Sequence, residues 1–129
     1  MRDYQRKKQS KYILPKAVYH QSLWKIRDYY RLKEAAEDLM SSSNNSEDNT
    51  SRTNIPSDVV ASTVVKRDKF LFTVDNIDKA LIEIPIEYRK AIWDNIQYEM
   101  PYPIYADRST YGRYKSKLIY LVADKLELI

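Results

Sequence analysis

The sequence predicts an all-α fold: a long N-terminal helix, a flexible polar linker, and a three-to-four-helix unit ending in an abbreviated helix-turn-helix. Three observations carry that expectation. Apolar residues recur at three- and four-residue spacing over most of the chain, the period of one helix face. Glycine occurs once, at Gly112, whereas folds built on many tight turns need residues that tolerate positive φ. The clearest breaks fall at Pro15, Pro56, Pro85 and the Pro101/Pro103 pair, where proline opens a helix or ends one.

Residues 1–40 read as a basic arm followed by one long amphipathic helix from Pro15 to Met40. Tyr19, Leu23, Ile26, Tyr30 and Met40 keep the helical spacing, interrupted at Lys33 and Glu37. Leu32, Ala36 and Leu39 form an adjacent row. Glu34, Glu37 and Asp38 gather at the C-terminal end, where the helix dipole disfavours acids and fraying is expected. Residues 41–56 read as the linker, because Ser41 to Asn54 contains no apolar residue to offset its ordering entropy.

Residues 57–129 form the helical unit. Ser57 is placed as the cap of a helix that ends near Pro85. Val60, Val64, Leu71, Val74 and Leu81 mark one face, with Phe70, Ile77 and Ile84 beside it. A strand over Phe70–Val74 competes locally, but the longer window keeps the helical period. Tyr88, Ala91, Ile92 and Ile96, with Trp93 beside them, predict a third helix from Pro85 to Tyr98. Met100-Pro101-Tyr102-Pro103 breaks it. A short turn or single-turn helix then covers Ile104 to Ala106. The last helix starts at Asp107 or Ser109 and runs to Leu128, with Tyr111, Tyr114, Leu118, Leu121, Val122 and Leu126 inward.

The inventory excludes several chemistries. The length of 129 residues fits one domain. Without cysteine there is no disulfide framework, thiolate nucleophile or Cys-based zinc site. His20 stands without a second histidine and reads as a boundary residue rather than a metal ligand. A single glycine rules out Gly-rich phosphate loops. The pairs Asp75/Asp78 and Glu83/Glu87 share polar helix faces, not a cleft with differing environments. No enzyme activity and no cofactor are therefore expected. With no apolar run of membrane length and no signal-peptide pattern, the expected setting is soluble and cytoplasmic, with no membrane partner.

The formal net charge is +4 and unevenly placed. Arg2, Arg6, Lys7, Lys8, Lys11, Lys16, Lys25 and Arg27 face a single early acid, Asp3. Near the other end, Arg108 to Lys117 holds four bases and no acid. With Tyr111, Tyr114 and Leu118 turned inward, Arg108, Ser109, Thr110, Arg113 and Lys117 lie around the start of a helix. Such a start suits a major-groove reader: arginine grips guanine bidentately, Ser and Thr bond base edges or phosphates, and lysine neutralises phosphate. Lys115 would serve as a backbone neutraliser, and the helix dipole would favour a phosphate. The competing reading is a solvated charged face. In the arm, Tyr4, Tyr12, Tyr19, Tyr29 and Tyr30 interleave with bases, a pattern that binds single strands by stacking or lets tyrosines pack inward. Packing is favoured for Tyr19 and Tyr30 and left open for Tyr4 and Tyr12. The first dozen residues read as a basic arm able to contact phosphate.

Residues 77–81 (Ile-Asp-Lys-Ala-Leu), 84–89 (Ile-Pro-Ile-Glu-Tyr-Arg) and Ile92-Trp93 resemble the opening of region four of bacterial sigma factors. Arg108-Ser109-Thr110-Tyr111 with Arg113 resembles the start of that region's recognition helix. The wider layout is similar to phage transcriptional regulators of the RinA and ArpU type: a Tyr-rich helix (Trp24 to Leu39), a polar linker, then Ser57-Asp58 and a long helix. The resemblance implies a phage or prophage regulator that binds double-stranded DNA in a bacterial host cell. Dimers read paired half-sites, so a homodimer through the N-terminal helix is an expectation, with fold-back of that helix as the alternative. The competing function is a protein-interaction module, an adaptor on host RNA polymerase or a phage-encoded inhibitor, on a degenerate helix-turn-helix.

Overall fold

The computed structural model describes residues 5, 11–47 and 57–129, and for 41–47 and 57–60 it describes the backbone alone. Among these residues all regular structure is helical: α1 (Lys16–Arg27), α2 (Tyr29–Glu47), α3 (Ser57–Ile82), α4 (Ile86–Tyr98) and α5 (Arg108–Lys125). Phe70–Val74 is helix, inside α3. Proline opens two of the five. Pro15 (φ −53°, ψ 144°) and Pro85 (φ −54°, ψ 138°) precede α1 and α4 without a side-chain cap. Their carbonyls accept the N–H groups of Tyr19 at 2.9 Å and Tyr88 at 3.0 Å.

The single helix expected from Pro15 to Met40 is two helices. Asp28 (φ −86°, ψ 1°) leaves the helical region, and its N–H is shared between the carbonyls of Trp24 (3.0 Å) and Lys25 (3.2 Å). A helix end leaves carbonyls without intrahelical partners. Here α4 helps supply them: Gln97 Nε2 donates to Ile26 O at 2.6 Å. In the other direction Arg27 Nε donates to Ile96 O at 3.0 Å. In α1, Tyr19, Leu23 and Ile26 are buried as expected; in α2, Tyr29, Leu32 and Ala36 are buried, while Tyr30 and Met40 are exposed. Leu39 is half-buried. The helix also runs on: residues 41–47, expected as linker, are helical in their backbone. Residues 1–4, 6–10 and 48–56 lie outside the described residues, and with them Tyr4, most of the basic opening and the rest of the expected linker.

The chain divides into two compact units, residues 1–28 with 76–129, and residues 29–75. α1 packs with α4 and α5. The core of this unit draws Tyr19, Leu23 and Ile26 from α1, Ile77 and Ala80 from the end of α3, Ile92 and Ile96 from α4, and Leu118, Ile119 and Val122 from α5. Ser22 is fully buried among them. Its Oγ donates to Ile119 O at 2.6 Å, and its small side chain lets α1 lie close on α5. Before α1, the Gln5 side chain pairs with both backbone groups of Leu14, at 2.6 and 2.7 Å. Tyr12 packs edge-on against Tyr120 of α5 at 5.5 Å.

Two inward faces differ from the sequence reading. In α3, among the described side chains, the buried positions are Thr73, Val74, Ile77 and Ala80, whereas Val64 is exposed and Leu71 and Leu81 are half-buried; the side chain of Val60, expected on the inward face, lies outside the described residues. In α5, Ile119 and Ala123 are buried while Tyr114, Leu121 and Leu126 are half-buried. Both α1 and α4 pack on α5, so its covered arc is wider than one stripe. Between α3 and α4, Arg89 reaches back to the carbonyls of Ile84 (2.7 Å) and Ile82 (2.6 Å) and takes the place of a cap. In the unit of residues 29–75 the buried side chains among those described are Tyr29, Leu32, Ala36, Thr73 and Val74. Tyr29 meets Tyr30 edge-on at 5.1 Å.

Candidate nucleic-acid interface

The segment of interest begins where α4 stops. Glu99 takes a left-handed conformation (φ 56°, ψ 29°), a place glycine usually fills. Its N–H donates to Asn95 O at 3.0 Å, and the N–H of Met100 donates to Asp94 O at 3.4 Å. The proline pair then keeps the chain out of a helix as far as Asp107. The Ile104–Ala106 segment is a turn, closed by Ala106 N–H on Pro103 O at 2.9 Å.

This loop is anchored from behind. Asn95, nearly buried, donates from Nδ2 to Met100 O at 2.8 Å and accepts from Lys115 Nζ at 2.8 Å. Tyr102 stacks on Tyr111 with centroids 4.9 Å apart. Tyr88 of α4 meets Tyr111 edge-on at 5.1 Å and stacks on Tyr114 at 4.8 Å. Four tyrosines thus fasten the loop and the opening of α4 to the first turns of α5.

Asp107 caps α5: its carboxylate accepts from Ser109 N–H at 2.9 Å and from Thr110 Oγ at 3.0 Å. Arg113 Nη2 donates to the same Thr110 hydroxyl at 3.3 Å. The Thr110 hydroxyl bond, then the Ser109 N–H, hold the Asp107 carboxyl below the ordinary aspartate range, with the Arg113 charge a lesser contributor. A carboxylate therefore already sits at the helix N-terminus, where the sequence reading expects the dipole to attract phosphate.

Of the six residues singled out from the sequence, Arg108, Ser109 and Arg113 are exposed at the opening of α5. Thr110 is half-buried and engaged by Asp107 and Arg113. Lys117 is half-buried, and Lys115 points into the fold, its ammonium on Asn95. Sequence reasoning did not find the anchoring role of Asn95, because its partners at Met100 and Lys115 come together only through the fold. Nor did it find the projecting pair Ile104 and Tyr105, although two bulky side chains in an aperiodic stretch between Pro103 and Asp107 are a visible signal.

His20 lies half-buried between the rings of Tyr19 (5.5 Å) and Trp24 (5.6 Å). Among the described residues no group of three His, Asp or Glu side chains is placed to hold a metal ion, and no helix is long and apolar enough to cross a membrane. No protein family matches the chain, and comparison with curated proteins and with solved structures gives no match.

Proposed function

We propose that this chain is a DNA-binding transcriptional regulator of phage type that meets duplex DNA with the opening of α5. The observation that carries the reading is the exposure of Arg108, Ser109 and Arg113 on the first turns of a helix whose other side is fixed by the tyrosine cluster. A rigid element presenting guanidinium groups to solvent suits contacts to phosphate and to guanine edges. The net charge of +4 favours the encounter. Arg108 and Arg113 carry most of the interaction, Ser109 and Thr110 contribute polar contacts, and Lys117 neutralises phosphate from the side. Lys115 takes a structural part through Asn95.

The reading is tested by fluorescence anisotropy of labelled duplexes over a range of salt concentrations. Binding weakens steeply with salt, and replacing Arg108 or Arg113 by alanine lowers the slope by about one for each phosphate no longer neutralised. Charge reversal at both positions, Arg108→Glu with Arg113→Glu, abolishes measurable binding. Equal affinity before and after the reversal overturns the reading.

A second reading, a protein-interaction module such as an RNA polymerase adaptor, is favoured by Ile82 and Ile86, both exposed at the corner between α3 and α4. Retention of a bacterial polymerase that Ile82→Ser with Ile86→Ser abolishes, together with no retention on DNA cellulose, selects this reading.

A further inference from the structure

The loop ahead of α5 carries the most exposed apolar side chains among the described residues. Relative exposure is 104 % for Ile104 and 91 % for Tyr105. Large apolar side chains held wholly in water call for a partner surface. Their exposure is built into the turn. The Ala106 N–H to Pro103 O bond closes the turn, stacking of Tyr102 on Tyr111 fixes its rear, and the Asp107 cap fixes its front. Arg108 follows Tyr105 by three residues, and Arg113 lies one turn and a half further along α5; both are exposed. An apolar tip followed within the next eight residues by two exposed arginines has the character of a surface that touches bases and phosphates together.

We propose that Ile104 and Tyr105 form a wedge that enters a base step of duplex DNA while Arg108 and Arg113 hold the flanking phosphates. This rests on the DNA reading above and adds to it a mode of contact and a preferred target. Apolar side chains pushed between base pairs unstack them and kink the duplex. The tyrosine ring supplies a face for stacking that any base accepts. Pyrimidine–purine steps open most easily, so TA-containing duplexes are the favoured ligands. A wedge also suits this scaffold, in which a turn, and not a helix, stands directly ahead of α5.

The experiment uses the full chain and labelled duplexes carrying 2-aminopurine at TA steps. Binding of the native chain raises 2-aminopurine emission, because the unstacked base is no longer quenched by its neighbours. Replacement of Ile104→Ser with Tyr105→Ala lowers affinity about tenfold, removes the emission rise and leaves the salt slope unchanged. Tyr105→Phe behaves as the native chain, since it keeps the stacking face. Circular dichroism confirms that the variants keep their helices, as expected for side chains that lie in solvent. If the double variant matches the native chain in affinity and emission while Arg108→Glu weakens binding, the wedge is wrong and the DNA reading stands. Binding by the native chain without any emission rise also overturns the wedge. Failure of the native chain to bind any duplex overturns both.

Discussion

Asp107 sets the electrostatics of the α5 opening. Its carboxylate caps the helix, yet it puts a negative charge where DNA phosphate would approach Arg108 and Arg113. The two roles separate in one substitution. Asparagine caps a helix as well as aspartate does but carries no charge. Asp107→Asn is expected to strengthen duplex binding at low salt and to leave Tm near that of the native chain. Asp107→Ala removes the cap and lowers Tm. The pH response separates them further. The folded carboxyl is held below its unfolded value, so its contribution to stability is complete above the unfolded range. It disappears as pH falls through the folded value, and the asparagine variant lacks that acid-side decline. Anisotropy at two salt concentrations and thermal melts down to acid pH check both statements. The presence of Arg108, Ser109 and Arg113 near a helix start was legible in the sequence, because the Tyr111/Tyr114/Leu118 row orients that segment. The diversion of Lys115 to Asn95 was not legible, because twenty residues and a loop separate the pair.

Helix ends show why element boundaries were read unevenly. Prolines marked the starts of α1 and α4 and the stop after α4, since proline acts through local sterics alone. The stop at Asp28 had no such mark. Its compensating bonds come from Gln97 and Ile96, about seventy residues away, so the sequence showed only an unbroken helical stripe. The α4 stop carries a measurable strain. Glu99 sits at φ 56°, where a non-glycine residue is disfavoured by roughly 1–2 kcal/mol. Its compensating interaction is an ion pair with Arg27 at 4.0 Å, on a half-exposed carboxylate, and such pairs contribute little. Glycine at this position relieves the strain but gives up more freedom on folding, by about 0.5–1 kcal/mol. The strain relief is the larger effect. Glu99→Gly is expected to stabilise the chain by about 0.5–1 kcal/mol, the difference between those two effects, read from the shift in denaturant midpoint at unchanged m value. A fall in stability would mean that the Arg27 ion pair outweighs the backbone.

For the molecule as a whole, the decisive feature is that the first helix belongs to the same core as the last. A polar stretch in mid-sequence invites a cut between an arm and a C-terminal module, and the composition of residues 41–54 supports that cut when read alone. The buried row Tyr19, Leu23 and Ile26 nonetheless ties α1 to the C-terminal helices, because α1 lies on α4 and α5 and its Ser22 hydroxyl is bonded to the α5 backbone. Removing α1 strips three large side chains from the core, each contributing about 1.5–3 kcal/mol by burial. That sum is comparable with the entire stability of an ordinary domain, about 5–15 kcal/mol. It also leaves Leu118, Ile119 and Val122 facing water. A chain beginning at Tyr29 is therefore expected to lose cooperative thermal unfolding and to bind a hydrophobic dye, while the full chain melts in a sharp transition. Addition of a synthetic peptide spanning residues 11–28 restores cooperativity in proportion to its concentration, since binding to the folded state alone shifts the equilibrium by mass action. The Arg108 and Arg113 surface is expected to depend on the same restoration: the tyrosine cluster holds the opening of α5 to α4, and α1 packs on both of those helices. Duplex binding and the melting transition should return together as the peptide is titrated. Full binding by the shortened chain without peptide would show that α5 is held in place without α1.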